Sequence, residues 1–365
     1  MSSGRPTFRR MINEVVKKGT CSECGTCVVV CPYDVLQYEK GKPIQTVIAS
    51  MPDLCVVSET IDCDVCAAVC PRLEPSIEAL DRLFFGRERT EEEQAFGVYR
   101  EVVMARTTDE RVMHVCQDGG VVTALLGWAL AQGRIDGAIV SGTDPQRRWI
   151  PLPKAVRTFE DLLASGGSRY TYSPNPLAML DAAKRNLGRL ALVGTPCEVS
   201  PVGKARLAKL HEYGDRIDVT IGLLCSEAFT YEGLMEQQIQ GEMGIDLDEV
   251  VKVNIKGKVL VYLKSGEVRE IPLKDAKLHA RPECSFCADF SAEHADIAAG
   301  GIGIDGWTVA ILRSQAGAEM LAAAAAAGVI EVRPIDEFPG TLDLLARHAK
   351  RQRRHAQRSL AALQE

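Results

Sequence analysis

"CSECGTCVVVCP", residues 21–32, sets four cysteines and a proline into twelve positions, and this spacing decides how the N-terminal part of the chain folds. Cys21-x2-Cys24-x2-Cys27-x3-Cys31-Pro32 is the run in which three thiolates hold one 4Fe-4S cluster and the fourth reaches across to a second. The short spacings wrap a tight loop around the cube, and Pro32 turns the chain away. A second run, "CVVSETIDCDVCAAVCP" (55–71), supplies Cys63-x2-Cys66-x3-Cys70-Pro71. The position expected for its first cysteine holds Thr60, and Cys55, five residues earlier, could supply that ligand from a longer loop. Swapped ligation then assigns Cys21, Cys24, Cys27 and Cys70 to one cluster, and Cys55, Cys63, Cys66 and Cys31 to the other. Structural zinc also uses C-x2-C pairs, but two interlocked runs that each end in Cys-Pro count against it. For the second site a three-iron cluster that leaves Cys55 unused stays open.

With 365 residues and 46% apolar content, the chain can bury a substantial core and is expected to divide into two or three domains. A net charge of -6 and a sequence pI of 5.7 argue against nucleic acid as the main partner, because phosphate binding needs a basic face. The exception is "RHAKRQRRHAQRS" (347–359), with Arg347, Lys350, Arg351, Arg353, Arg354 and Arg358. On a helix such a run reads as a solvated face, with docking of an acidic partner as the alternative. No apolar run reaches the ~18 residues of a membrane span, and "MLAAAAAAGVI" (320–330) reads as a helix closed by Gly328. "MSSGRPTFRRMINEVVKKG" lacks the apolar centre of a signal peptide. A cytoplasmic protein follows as the expectation, with peripheral docking on a membrane-bound complex left open. In that setting 13 cysteines point to metal rather than disulfides, and eight of them fall between 21 and 70.

Residues 1–75 read as a two-cluster ferredoxin domain of bacterial type, turn-rich and held by clusters in place of an apolar core. "EPSIEALDRLFFGRERTEEEQA" opens a charged helical linker at 76–97. From Val98 to about 335, strand and helix patterns alternate: "EVVMART", "GGVVTALLGWALAQG", "DGAIVSG", "NPLAMLDAAKRNLG", "RLALVGTPC", "SPVGKARLAKLHEYG", "RIDVTIGLLC". That alternation argues for an α/β domain with a largely parallel sheet. "VVKVNIKGKVLVYLKSGEVREIPL" alternates apolar and polar residues around "KGK" and "SGE" turns, which predicts an antiparallel meander appended to the sheet. Residues 336–365 form the basic helical tail.

Four further cysteines fall at strand ends or turns of the α/β domain: Cys197, Cys225, Cys284 and Cys287. Parallel strands gather their C-terminal ends on one edge, where ligands collect in such folds. Cys197 and Cys225 can meet there, and if "CSFC" folds over that edge a third 4Fe-4S site forms. Buried, unligated cysteines are the alternative, and Cys116 is read that way. Gly301-x-Gly303-x-x-Gly306 satisfies a dinucleotide fingerprint, yet "WTVAILR" after it reads as a strand where the fingerprint needs a helix. These glycines are therefore read as a turn.

"QDGGVVTALLGWAL" (117–130), "DGAIVSG" (136–142), "GSRYTYSP" (167–174), "LVGTPC" (192–197), "GLLCSEAF" (222–229) and "CSFCADFSAEHADIAAGGIGIDGW" (284–307) together resemble the beta subunits of coenzyme F-420 (F420) hydrogenases and dehydrogenases. These are flavoproteins that oxidise or reduce an 8-hydroxy-5-deazaflavin. The N-terminal ferredoxin domain is most similar to that of the electron-input subunit of the F420H2 dehydrogenases of methanogens and related archaea. The resemblance implies an FAD in the α/β domain beside a cluster held by Cys197, Cys225, Cys284 and Cys287. A deazaflavin carries hydride and clusters carry single electrons, so a flavin is needed to convert one into the other.

Gly119 and Gly120 open a helix whose N–H groups can hold a pyrophosphate, with Thr123 one turn on. Ser168 and Arg169 offer polar contacts and Tyr170 stacking, and Gly194 and Thr195 offer a further turn. The family more often has lysine where Arg169 stands, and serine where Cys116 stands. The leading expectation is an FAD and iron–sulfur oxidoreductase exchanging hydride with F420 and relaying electrons to a partner: ferredoxin, a respiratory complex or a heterodisulfide reductase. A relative acting on another acceptor, or a docking subunit without flavin, are the competing readings.

Overall fold

A computed structural model describes residues 5–363, so the ends of the expected N-terminal and C-terminal segments, 1–4 and 364–365, lie outside the described residues. The cysteine-dense segment is a set of short helices, Thr26–Val29, Val56–Thr60 and Val65–Ala68, around a two-stranded hairpin of β1 (Leu36–Glu39) and β2 (Lys42–Gln45). It has a small apolar core of its own. Phe8, Met11, Ile12 and Val15 are buried against Leu36, Ala67 and Leu73, with Cys55 and Cys66 among them. Gly25 takes φ 74°, the left-handed region glycine tolerates, and a Cβ there would lie 2.6 Å from Leu177 of the next domain. That close approach seats the segment directly on the rest of the chain.

The following strands are β3 (Glu101–Thr107), β4 (Gly137–Thr143), β5 (Pro151–Val156), β6 (Leu190–Gly194) and β7 (Ile217–Leu223). Next come β8 (Val250–Ile255), β9 (Lys258–Leu263), β10 (Val268–Pro272), β11 (Ile297–Gly300), β12 (Thr308–Leu312) and β13 (Ile330–Pro334). Eight of them form one sheet in the order β13-β3-β12-β11-β7-β6-β4-β5. The pairs β11–β7, β7–β6 and β6–β4 are parallel, while β4–β5, β11–β12, β12–β3 and β13–β3 are antiparallel. The sheet is therefore mixed, where the sequence pattern suggested one that is largely parallel. The connections 144–150 and 301–307 are too short for the crossover that a parallel neighbour needs, so each closes an antiparallel pair. Because β12 runs against both β3 and β11, the C-terminal ends of β3, β4, β6, β7 and β11 still share one edge.

Both faces of the sheet are covered. Met104, Ile139, Leu192 and Ile311 pack on one side against Val199 and Val202 of the helix Pro196–Leu207. Ala105, Val140 and Val193 pack on the other against Leu125 and Leu126 of the helix Val121–Ala131 and Leu321 of the helix Gln315–Ala326. Strands β8, β9 and β10 form a separate antiparallel sheet, where the sequence suggested an extension of the large one. Its core of Val253, Val261 and Ile271 packs on Leu234, Phe229 and Trp149, which gives it an apolar face of its own to bury.

Residues 76–97, expected as a charged linker, lie packed against the domain. In the helix Ile77–Phe85, Leu80 and Phe84 press on Gly203, where a Cβ would meet Phe84 at 2.7 Å. The buried Asp81 accepts from Arg89 at 2.7 and 2.9 Å and from His294 Nε2 at 2.9 Å. Arg89 also reaches Glu293, which in turn binds Arg353 of the C-terminal helix Thr341–Ala362. That helix buries a stripe of Leu345, Ala349, Gln352 and Ala356 and exposes Arg347, Lys350, Arg351, Arg354 and Arg358. The basic tail thus has one solvated face and one structural face.

Burial would raise the Asp81 carboxyl, but hydrogen bonds from His294 and Arg89 outweigh it and hold the group down to about 2. Its folded value lies below its unfolded one, so the stability it contributes is present above about pH 4 and lost as pH falls toward 2. Asp81→Asn leaves Arg89 short of a buried partner and is expected to cost about 3–5 kcal/mol. Urea unfolding at neutral pH measures this cost, and the variant should lose less further stability than the wild type on acidification through that window.

Candidate functional site

At the shared edge, β6 ends at Gly194 and Thr195 caps the helix Pro196–Leu207. The Thr195 N–H and hydroxyl both donate to Glu198 Oε2, at 2.7 and 2.8 Å, in a capping box. Cys197 therefore sits in the first turn of this helix, not at a strand end as expected, where the helix dipole favours a thiolate. Its sulfur lies 3.2 Å from Thr195 Oγ1. Cys225 follows β7, and its N–H donates to Phe290 O at 2.9 Å, which draws the "CSFCADF" loop over the edge. Within that loop Cys284 lies in the turn Pro282–Phe286 and its sulfur accepts the Ala228 N–H at 3.4 Å, with Cys287 immediately after. Cys197, Cys225, Cys284 and Cys287 line one hollow, walled also by Ser22, Arg72, Arg281 and Gln352.

Among the N-terminal cysteines, Cys21, Cys24, Cys27 and Cys70 line one hollow. Cys21 has Cys24 and Cys70 as its electrostatic neighbours, and Cys24, Cys70 and Cys21 all act on Cys27, which also feels Cys66 across the divide. Around Cys66 the neighbours are Cys63, Cys31 and Cys55. Cys55 is buried at the N-cap of the helix Val56–Thr60, so the irregular spacing still brings its side chain to the second quartet.

Burial pushes the Cys21 thiol up to about 12 and also raises Cys24, Cys27, Cys66, Cys70, Cys197, Cys225 and Cys284. A group that needs ionised thiols here has to supply or attract positive charge, as a metal cluster does. Lys42 favours the Cys21 thiolate, and Arg72 favours those of Cys70, Cys197 and Cys284. Among the described residues no three His, Cys, Asp or Glu side chains are drawn in closely enough to hold a single ion. All-sulfur donor sets lining such hollows, one of them walled by Arg72 and Arg281, fit iron–sulfur clusters.

The residues expected to bind a flavin divide into two groups. Gln117 joins the first: its Oε1 accepts the Ser168 N–H at 3.3 Å, and its Nε2 donates to Tyr170 Oη at 3.2 Å and to Val253 O of β8. Gly120, with φ 71°, opens the helix Val121–Ala131 without a side-chain cap, and Thr123 lies half-buried in its first turn. The Gly119 N–H, expected to hold phosphate, is instead engaged by Thr308 Oγ1 at 3.0 Å, and Gly119 packs so tightly that a Cβ would lie 2.6 Å from Ala105 O. Arg169 Nη1 donates to carbonyl oxygens, those of Ser141 and Ser165 at 3.3 Å and of Gly167 at 3.5 Å, and desolvation lowers its guanidinium to about 10. The Tyr170 hydroxyl is engaged by Gln117 and Asn254.

Gly194 and Thr195 belong to the second group, beside Cys197, where Glu198 occupies the space a Gly194 side chain would need. Residues 168–172 run between the two groups, ending with Tyr172 Oη 3.9 Å from the Cys197 sulfur. Gly301 lies against Asp118, and a strand follows the glycine turn, as the sequence pattern required. Cys116 stands apart from the quartets, with its thiol near Asp118 O at 2.9 Å.

Residues 102–179 match the N-terminal part, and 187–338 the C-terminal part, of the coenzyme F420 hydrogenase/dehydrogenase beta subunit. The chain belongs to this family. Residues 14–37 match a 4Fe-4S binding domain. The coenzyme F420 hydrogenase subunit beta of Methanothermobacter thermautotrophicus is 36% identical over 275 residues, covering 74% of this chain and 96% of the relative. An F420H2 dehydrogenase subunit of Methanosarcina mazei is 30% identical over 310 residues, 84% of this chain and 82% of the relative. In the F420-reducing [NiFe] hydrogenase complex of Methanosarcina barkeri, one chain superposes with a TM-score of 0.70 at 34% identity, covering 74% of this chain and 94% of that one. The relatives are oxidoreductase subunits, and among the described residues no helix is long and apolar enough to cross a membrane.

Several residues around the site of this family member carry no sequence signal for the positions they take. Arg72 and Arg281 look like surface residues beside prolines, and Gln352 sits within a run that reads as solvated. Only the Cys-Pro and Pro-Glu-Cys contexts next to the two arginines hint at their place. Cys55→Ser is expected to lower the iron content of anaerobically reconstituted protein by up to about four atoms per chain. Cys116→Ser should leave that content unchanged, and colorimetric iron assay distinguishes the two.

Proposed function

We propose that the chain exchanges hydride with coenzyme F-420 through a bound FAD and relays single electrons through three 4Fe-4S clusters to a partner protein. The observation that carries this reading is the continuity of residues 168–172, which start at Gln117 and Arg169 and end at the Cys197 sulfur. When bound, FAD takes up a hydride pair and delivers it as the single electrons that clusters carry.

The chain's own residues hold and orient the reacting groups. Arg169, a cation engaged only by carbonyls, supplies positive charge for a diphosphate. The uncapped start of the helix Val121–Ala131, with Gly120 and Thr123, supplies N–H groups and the positive dipole end. Gly119 contributes close packing, and Ser168 and Tyr170 are held in place by Gln117. Thr195 and Gly194 serve the metal site: the capping box fixes the helix start, and the Thr195 hydroxyl beside Cys197 steadies its thiolate. Cys197, Cys225, Cys284 and Cys287 hold the cluster next to the flavin. Cys21, Cys24, Cys27 and Cys70 hold the middle one, because Ser22 lines the hollows of both quartets. Cys31, Cys55, Cys63 and Cys66 hold the outermost cluster, toward a partner that accepts electrons.

Anaerobic reduction of reconstituted protein by F420H2 tests the reading. About twelve irons and one FAD per chain, with flavin and cluster absorbance bleaching together, is the expected result. FAD that only another donor reduces would remove F420 as the substrate, and absence of FAD would leave an electron-transfer subunit. Arg169→Met should weaken FAD retention at least tenfold, about 1.4 kcal/mol, with iron content unchanged, as flavin fluorescence after gel filtration would show.

A further inference from the structure

Arg72 lies where the ferredoxin-like segment meets the α/β domain, with quartet cysteines on both sides of it. Its backbone N–H, with that of Leu73, is directed at the Cys70 sulfur of the middle quartet. Its side chain crosses into the next domain, where Nη1 donates to Phe286 O and Nη2 to Glu283 O at 3.4 Å, against the turn that carries Cys284. There it walls the hollow lined by Cys197, Cys225, Cys284 and Cys287. The Nε–H is buried and has no hydrogen-bond partner. The nearby charges that act on the guanidinium are those of Cys287, Cys197, Cys284 and Cys70.

Two of the neighbouring cations are neutralised by carboxylates, while the buried Lys204, which also acts on Cys70, donates to Glu74 O and faces only the middle quartet. Arg281 pairs with Glu23 at 2.6 Å, and Lys42 bridges Glu23 and Glu283. Arg72 has no carboxylate, and a buried guanidinium that cannot deprotonate needs a counter-charge. Of the carboxylates lining the same hollow, Glu283 is paired with Lys42 and Asp289 accepts the Ser291 and Glu293 N–H groups, which leaves the sulfurs on either side to face Arg72.

We propose that Arg72 is the shared counter-cation of the two inner clusters, raising both reduction potentials together and completing its Nε–H bond on cluster sulfur. The proposal rests on the iron–sulfur reading above. Cluster potential depends on local charge and on hydrogen bonds to sulfur, and one desolvated cation between two sites acts on both. In the transfer it governs, one electron leaves the cluster at Cys197, Cys225, Cys284 and Cys287 and one enters that at Cys21, Cys24, Cys27 and Cys70. No bond forms or breaks, and Arg72 keeps its proton.

The test is an EPR-monitored redox titration of the full chain reconstituted with iron and sulfide, with the outermost cluster identified by comparison with Cys55→Ser. In Arg72→Met the reduced-to-oxidised ratio of the two inner clusters at fixed ambient potential should fall at least tenfold, a midpoint drop of about 59 mV, while the outermost cluster is unmoved. Arg72→Lys retains the charge and should hold both ratios within about threefold. Should Arg72→Met fail to retain iron, Arg72→Gln, which keeps donors and removes charge, is expected to show the same drop. Inner potentials that stay put in a fully loaded neutral variant would overturn the proposal. So would equal shifts of all three clusters, which mark general loosening. A wild-type chain that binds no iron would overturn the iron–sulfur reading itself.

Discussion

Crowded, dry thiols are the constraint on which the rest of this structure depends. Burial raises Cys21, Cys24, Cys27, Cys66, Cys70, Cys197, Cys225 and Cys284, so these thiols ionise only with help from nearby positive charge or N–H donors. The fold answers with devices of different kinds. A helix start and a capping threonine serve Cys197, a backbone N–H serves Cys284, and Arg72 and Lys42 serve the sulfurs near the seam. Each is rigid, because it is built from secondary structure or from side chains held by second partners.

The same demand explains why the ferredoxin-like segment is not a freely tethered module. Leu177 fills the space above Gly25, Arg281 reaches back to Ser22 O and Glu23, and Lys42 bridges Glu23 and Glu283. The Arg281 guanidinium also lies 3.9 Å over the Tyr172 ring, and Tyr172 in turn approaches Cys197. These contacts hold two quartets on either side of one wall. Charge pairing across the seam requires partial burial on both sides, and mutual pairing keeps that burial from stranding single charges.

On the other flank, the C-terminal helix lays Gln352 over the third quartet, donating to Ser226 O at 2.9 Å, while Phe290 stacks on His348. Arg353 ties the helix to Glu293, and through Arg89 and Asp81 to the helix Ile77–Phe85. Two charged segments of the chain thereby brace the site from outside the sheet. Their charge reads as solvation in the sequence because partners that bury it come from distant segments, Arg89 and Glu293 being 204 positions apart and Arg353 and Glu293 60.

The sequence by itself determined the two cysteine runs, the irregular place of Cys55, the strand and helix alternation and the glycine turn that is not a nucleotide fingerprint. These are local patterns, in which ligand spacing, turn chemistry and hydrophobic period act within a few residues. It also carried the family motifs, and with them the reading of Cys197, Cys225, Cys284 and Cys287 as a set. Only the tertiary structure decided that the sheet is mixed, that the meander forms its own sheet, that Gly119 and Thr195 are engaged by the protein itself, and that Arg72 stands between two quartets. Strand order, hydrogen-bond partners and the dryness of a charge are long-range properties. They depend on which segments meet, and spacing along the chain does not encode that.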